Sequence, residues 1–122
     1  LSYGVKANSN EALNRTIEGL GELPRDSALA ILDSVWESTL TQADSSIVEK
    51  SRLIAKKYRG LNAHSKSVLV YESLQKIGEQ LNDTALICES RYYQGVGYRT
   101  MGLYNEGLTH LFHSLSLEES LL

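Results

Sequence analysis

The sequence predicts an all-α fold, a right-handed superhelical stack of about six helices arranged as antiparallel hairpins. No segment alternates apolar and polar residues for long enough to form a half-buried strand, and the 122 residues contain one proline. Short polar turns separate the helical segments, which favours antiparallel neighbours. Residues 48–77 are also echoed forty residues later by residues 88–117. Self-similarity at this period is typical of stacked repeats, in which each unit buries its apolar face against its neighbours.

The first two helices are predicted from the spacing of their apolar residues. The first lies within residues 9–20, where Leu13, Ile17 and Leu20 form one stripe that ends among glycines. The second runs over about residues 24–40, because proline is tolerated in the first turn of a helix. Its inward-facing side chains are predicted to be Ala28, Leu32 and Val35.

The middle pair of helices has clearer boundary signals. Ser46 is followed three residues later by Glu49, which matches a capping box, so the third helix is predicted to begin there and to end at Gly60. Asn62 is predicted to cap a fourth helix over residues 63–79. The side chains of this fourth helix that are predicted to face inward are Val68, Tyr71, Leu74 and Ile77.

The last pair follows a turn at Asn82 and Asp83. The fifth helix is predicted over residues 84–101 and stops at Gly102. The sixth covers residues 104–118, and its apolar stripe consists of Leu108, Leu111, Phe112 and Leu115.

The composition of the chain argues against several classes of protein. With 12 Lys and Arg against 15 Asp and Glu, the net charge of −3 argues against nucleic acid as the main partner, which usually requires a basic excess. A single cysteine, Cys88, excludes an internal disulfide, and no apolar run reaches the roughly 18 residues of a membrane span. Because Leu1 is not an initiator methionine, we expect one domain, residues 1–122, taken from a larger protein. Its three predicted units cover residues 10–40, 45–80 and 84–118.

The last helix pair resembles a tetratricopeptide repeat (TPR). The residues that carry the resemblance are Gly95, Tyr98, Gly102, Tyr104, Gly107, Leu111 and Ser114. The preceding unit fits through Ala55, Tyr58, Ser67, Tyr71 and Leu74, and the resemblance covers about residues 10–120. The period is 40 residues instead of the family's usual 34. Longer units of this kind resemble the TPR regions of bacterial signalling proteins, such as sensor histidine kinases, diguanylate cyclases and LuxR-like regulators.

The resemblance implies a partner-binding groove lined by the first helix of each unit. Carried over to this sequence, the groove positions are Glu49, Arg52, Lys56, Arg59, Glu89, Tyr92, Val96 and Arg99. We hypothesise that their local basic strip, in which Arg99 should lie beside Arg59, binds an acidic or C-terminal-carboxylate peptide segment of a protein. The alternative is a solvated helix face whose arginines pair with Glu49 and Glu89. Chaperone-binding members of the family bind a carboxylate through a clamp that includes an asparagine. Lys56 stands at that position here, which argues against a carboxylate clamp of the same kind.

Other chemistry is weakly indicated. Glu106, His110 and His113 share one helix face with a spacing that could hold a metal, but their positions are predicted to face solvent, and a metal site needs three or four converging ligands. We therefore expect no metal, no cofactor and no catalytic residue, and hence no enzyme.

Our main functional hypothesis is a non-catalytic protein-binding or sensor region of a larger bacterial signal-transduction protein, in the cytoplasm or the periplasm. A standalone assembly scaffold or co-chaperone adaptor is one alternative, and the TPR region of a peptide-responsive transcription regulator is another. Terminal helices of a stack expose apolar faces, so we also expect either self-association or continuation into further repeats through residues such as Leu117, Leu121 and Leu122.

Overall fold

A computed structural model describes the backbone of residues 2–121 and the side chains of residues 10–121. Leu122 therefore lies outside the described residues. Within them the chain is all-α: no strand occurs between residues 2 and 121. Six α-helices are present, with a single 3₁₀ turn (Leu20–Glu22) after the first. The helices are α1 (Ser2–Gly19), α2 (Arg25–Thr41), α3 (Ile47–Gly60), α4 (His64–Leu81), α5 (Thr84–Thr100) and α6 (Tyr104–Ser120).

The predicted all-α class and the number of helices are confirmed. Helix α1 begins seven residues earlier than predicted, at Ser2 in place of residue 9. The other starts and ends fall within three residues of the predicted ones. None of the described helices is long and apolar enough to cross a membrane.

The chain divides into two compact units between Leu61 and Asn62. The N-terminal unit contains α1 to α3, and the C-terminal unit contains α4 to α6. The expectation of one domain with three repeat units stays a prediction.

The forty-residue period is present in the boundaries of the helices. Helix α3 ends at Gly60 and α5 at Thr100; α4 begins at His64 and α6 at Tyr104. The turns agree as well, because a residue with left-handed backbone follows both α3 and α5: Asn62 has φ 60° and Gly102 has φ 84°. The repeat seen in the sequence is therefore a repeat of local structure.

The turn at Gly102 closes α5 with two backbone hydrogen bonds. The amide of Gly102 donates to the carbonyl of Arg99 at 3.0 Å, and that of Leu103 donates to Tyr98 at 2.9 Å. This is the Schellman pattern, which requires a positive φ at its centre and so favours glycine or asparagine. Asn82, with φ 53°, closes α4 in the same way, and the next residue caps α5: the Asp83 carboxylate accepts from the Leu86 amide at 3.1 Å.

Two predicted helix caps were wrong. Asn62 does not cap α4, because it takes the left-handed position of the turn; the N-cap residue is Ala63, which makes no side-chain hydrogen bond. Ser46 is the N-cap residue of α3, but its side chain does not bond the helix. Its hydroxyl instead donates to the Asp44 carboxylate at 2.5 Å, and its amide donates to the same oxygen at 2.8 Å. The Asp44 carboxylate therefore takes the hydrogen bonds of Ser46 that a capping box would use.

In the N-terminal unit, α3 contacts both α1 and α2. The predicted inward residues Ala28 and Leu32 of α2 are fully buried, whereas Val35 is half-buried. On α3, Tyr58 is 2% exposed, and its hydroxyl donates to the Asp33 carboxylate of α2 at 2.5 Å. A buried phenol needs such a partner, since an unpaired hydroxyl would cost about 1–3 kcal/mol.

In the C-terminal unit, α5 packs against α4 on one side and α6 on another. Small residues allow both contacts. A Cβ atom placed on Gly97 would lie 2.5 Å from Cγ2 of Val68 on α4, and one placed on Gly95 would lie 2.6 Å from Cγ of Leu111 on α6. A Cβ atom on Gly107 would meet backbone, because the Gly95 carbonyl oxygen would lie 3.0 Å from it. The helices approach this closely because those side chains are absent.

The apolar stripe of α6 is the largest departure from the packing that the sequence suggested. A stripe on a helix is normally its buried face, but Leu108 and Leu115 are each 50% exposed and Phe112 is 66% exposed. The buried residues of α6 are small instead, Gly107 and Ser114, and Leu111 is half-buried. Helix α6 packs on α5 through Gly107, Leu111 and Ser114 and leaves Leu108, Phe112 and Leu115 exposed.

Candidate functional site

The predicted groove residues fall into two sets of four, one on each of two helices. Positions 49, 52, 56 and 59 lie on α3 and positions 89, 92, 96 and 99 on α5, each set with steps of three, four and three residues. Such steps keep side chains on one face of a helix. Each set therefore shares a face, as predicted. The position of Arg99 beside Arg59 stays a prediction, because the two sets belong to different units.

The α5 set lies on a third side of the helix, apart from most of the residues that contact α4 and α6, although the Arg99 backbone lies against Gly107 of α6. Contacts with α4 come from residues such as Ile87, Tyr93, Gln94 and Gly97, and contacts with α6 come from Cys88, Arg91, Gly95 and Tyr98. The third side of the helix is left to the predicted set. Tyr92 is 48% exposed, Arg99 is exposed, and Glu89 and Val96 are half-buried.

On α3, Glu49 and Lys56 are exposed, whereas Arg52 and Arg59 are half-buried. Both arginines, and Glu89 on α5, take part in interactions within the chain. Glu49 lies in the first turn of α3, and Arg59 and Arg99 lie in the last turns of α3 and α5, which are the positions that the helix dipole favours for these charges. The charged strip thus has a role in helix stability beside any role in binding.

A cleft opens at the amino-terminal half of the α5 face. Its volume is about 330 Å³, and it lies between α5 and the carboxyl-terminal half of α6. The residues that line it are Ala85, Cys88, Glu89, Tyr92, Tyr93, Ser114, Glu118 and Leu121. Two predicted residues, Glu89 and Tyr92, are among them. The carboxylates of Glu89 and Glu118 make this end of the α5 face acidic, and Arg99 makes the other end basic. The sequence-based hypothesis of a basic strip did not predict this acidic end.

Cys88 has a structural role at the wall of this cleft. Its thiol donates to the Ser114 carbonyl at 3.3 Å, and the Ser114 hydroxyl donates to the Cys88 carbonyl at 2.9 Å. This pair of bonds ties α5 to α6. The histidine that a cysteine nucleophile would need is not among the residues lining the cleft.

A polar cluster lies on the opposite side of α5. The Tyr98 hydroxyl donates to the Glu72 carboxylate of α4 at 3.4 Å, and the Tyr98 ring stacks on the His110 ring at a centroid distance of 5.2 Å. Arg91 Nη1 lies 3.0 Å from Nδ1 of His110. Burial, and next the Arg91 guanidinium, lower the pKa of His110, so the neutral ring accepts from Arg91 at neutral pH. Burial, followed by the charge of Glu72, raises the pKa of Tyr98.

The expectation that the histidines of α6 face solvent was wrong for His110, which is half-buried under this cluster. Its ring is committed to Arg91 and Tyr98. Among the described residues, no group of three or more His, Cys, Asp or Glu side chains is placed to hold a metal ion.

The tyrosine–carboxylate contact is itself repeated. Tyr58 and Tyr98 are forty residues apart, and their partners, Asp33 and Glu72, are thirty-nine apart. In both cases a tyrosine late in one helix bonds a carboxylate on the helix before it. Sequence reasoning missed both pairs, although two acidic residues at nearly the repeat spacing were visible in the sequence.

The N-terminal unit contains a second cleft that the sequence did not predict. Its volume is about 560 Å³, and its lining consists of Leu13, Ala30, Ile31, Ser34, Val35, Ser38, Thr39, Gln42 and Lys50. The Lys50 ammonium lies 3.8 Å from the Asp44 carboxylate, so the one cation of the lining has an acidic partner. The cleft contains none of the predicted groove residues.

Comparison with known proteins identifies no relative: no protein-family model matches the chain, and no curated protein or solved structure matches it.

Proposed function

We propose that this chain is a TPR-like, non-catalytic module that binds a peptide segment of a protein partner. The observation that carries the proposal is the exposed face of α5. Four residues share it, Tyr92 and Arg99 are exposed on it, and a cleft adjoins it. Helix α3 presents four residues at the same spacing, forty positions earlier. A helix face that recurs at the repeat period favours a role in binding over a set of unrelated surface residues.

Charge and shape suggest how a peptide would bind. Arg99 at one end of the α5 face and Lys56 on α3 are exposed cations that can pair with acidic side chains or a terminal carboxylate. Tyr92 offers a rigid amphipathic ring of the kind that is enriched at interfaces. A peptide that places its carboxylates at the basic end and uncharged residues on Tyr92 suits this surface.

The forty-residue period of the helix boundaries also supports the finer proposal, a region of a bacterial signalling protein. That period matches the longer TPR units which the sequence resembles. In such a protein, peptide binding would be transmitted to an output domain.

Fluorescence anisotropy with labelled peptides of one length would test the binding proposal. The set comprises an acidic peptide with a free C-terminal carboxylate, its amidated form, and a basic peptide. We expect the acidic peptide with a free carboxylate to bind most tightly. Its affinity should fall as the salt concentration rises, because exposed charge pairs are screened. The double variant K56E/R99E should weaken binding by roughly tenfold or more, since two charge-assisted contacts are reversed.

The matched control is R15E/K76E, which makes the same change in net charge at two exposed positions outside the predicted set. Binding of the acidic peptide by this control should stay close to that of the unaltered chain. If K56E/R99E bound the acidic peptide as well as the control does, or if all peptides bound equally, the peptide-groove proposal would be wrong.

A further inference from the structure

Helix α6 carries an apolar stripe that is exposed among the residues that the structure describes. We define the α6 stripe as Tyr104, Leu108, Phe112 and Leu115, whose exposed fractions are 65%, 50%, 66% and 50%. These residues lie at steps of four, four and three, so they form one continuous face. Isolated exposed apolar residues are ordinary, but a contiguous row of large ones marks an interaction surface.

The repeat shows that the α6 stripe belongs to a helix-binding face. Among the α4 residues that contact α5, Val68 lies against Gly97, Tyr71 stacks on Tyr93 at 4.9 Å, Glu72 accepts from Tyr98, and Gln75 accepts from Gln94 at 2.8 Å. Forty residues later the same positions are Leu108, Leu111, Phe112 and Leu115. The face that holds an antiparallel helix on α4 is therefore present on α6 with more apolar side chains. Its Leu111 contacts Gly95 of α5, whereas Leu108, Phe112 and Leu115 are exposed.

We infer that the occupant is a second copy of the chain, whose own α6 stripe packs antiparallel on the first. The side chains beside the stripe allow this, because Asn105, Thr109 and Ser116 are uncharged and place no like charges opposite each other. An antiparallel pair centred near residue 110 brings Leu108 of one copy against Phe112 of the other.

Charges at the ends of α6 favour the antiparallel arrangement over the parallel one. Glu118 and Glu119 lie in the last turn of α6, and the antiparallel pair puts them at the amino terminus of the other α6. A helix amino terminus attracts carboxylates, and the exposed Arg99 precedes that terminus by five residues. A parallel pair would instead place the glutamates of both copies side by side.

The area of the α6 stripe sets the strength of the dimer. The exposed parts of its four side chains amount to roughly 450 Å² per copy, or about 900 Å² in the pair. Stable specific interfaces bury about 1,200–2,000 Å², so this dimer is weak and forms only at high concentration. The inference does not depend on the proposed peptide surface, which lies on α3 and α5.

Sedimentation equilibrium over a wide concentration range would test the dimer. The mass of the unaltered chain should rise from 13.6 kDa towards twice that value as concentration increases. The variant L108D/F112D should raise the dissociation constant by roughly tenfold or more, because it puts charges on the buried face. The matched control, L69D/L81D, changes two leucines of α4 that are 58% and 65% exposed and should dimerise like the unaltered chain.

Cross-linking would test the orientation. In a Cys88→Ser background, N105C and S116C each introduce one exposed thiol. A mixture of the two variants should form a disulfide between unlike chains, and each variant alone should form little. A chain that stays monomeric at every concentration, or a stripe variant that dimerises like the control, would overturn the inference. Cross-links between like chains only would overturn the antiparallel arrangement.

Discussion

Replacing Gly107 by alanine should destabilise the chain, although alanine is the better helix former. The Cβ atom of the new residue would lie 3.0 Å from the Gly95 carbonyl oxygen and 3.1 Å from the Arg99 amide nitrogen. Both atoms belong to the backbone of α5 and cannot rotate away, so α5 and α6 must separate by a few tenths of an ångström.

The size of the effect follows from two opposing terms. Overpacking a close contact of this kind costs about 1–3 kcal/mol. Alanine recovers about 0.5–1 kcal/mol, because glycine loses more backbone entropy on entering a helix. The difference lies between about 0 and 2.5 kcal/mol, so we expect G107A to lower the free energy of unfolding by about 1 kcal/mol. G107V should lower it further, since valine adds two more methyl groups at the contact.

Urea denaturation followed by far-ultraviolet circular dichroism would measure this change. The matched control is G60A, because a Cβ atom on Gly60 has no other atom within 4 Å and the position is exposed at the end of α3. That variant should be as stable as the unaltered chain or slightly more stable. If G107A proved equal to G60A in stability, close packing at Gly107 could not be the reason for glycine there.

Two further predictions concern titrating side chains. Burial, followed by the hydrogen bond to Asp33, raises the pKa of Tyr58 above its usual value near 10. The folded state therefore keeps this proton more tightly than the unfolded state, and stability should fall as pH rises above about 10; Tyr58→Phe should flatten that dependence in alkaline urea titrations. The pKa of His110 is lowered, so the contribution of its neutral ring to the stability of the fold is complete above about pH 6.5 and is lost as pH falls. NMR titration should find the pKa of His110 below the usual 6.5, and the value in Arg91→Ala should be closer to 6.5. A His110 pKa at or above that of an exposed histidine would contradict the buried contact with Arg91.

The sequence predicted those parts of the site that depend on local spacing. Residues such as Glu89, Tyr92 and Val96 share a face because an α-helix brings positions three or four apart to the same side. The acidic cleft beside them was not predictable, because Glu118 and Leu121 come from α6 and reach the cleft only through helix packing. The predicted contact between Arg59 and Arg99 depends in the same way on tertiary structure and stays a prediction.

The sequence alone determined the class of the fold and the turns at Asn82 and Gly102, because left-handed backbone positions accept few residue types. It also determined that α6 has an apolar stripe. Only the tertiary structure decided which side of α6 is covered. Gly107 lets α5 approach so closely that the small residues of α6 form the buried contact, and the large residues of the stripe are left exposed. Amphipathic spacing predicts that a helix has an apolar face. Whether that face is buried depends on a neighbouring helix, which the sequence of the helix itself does not specify.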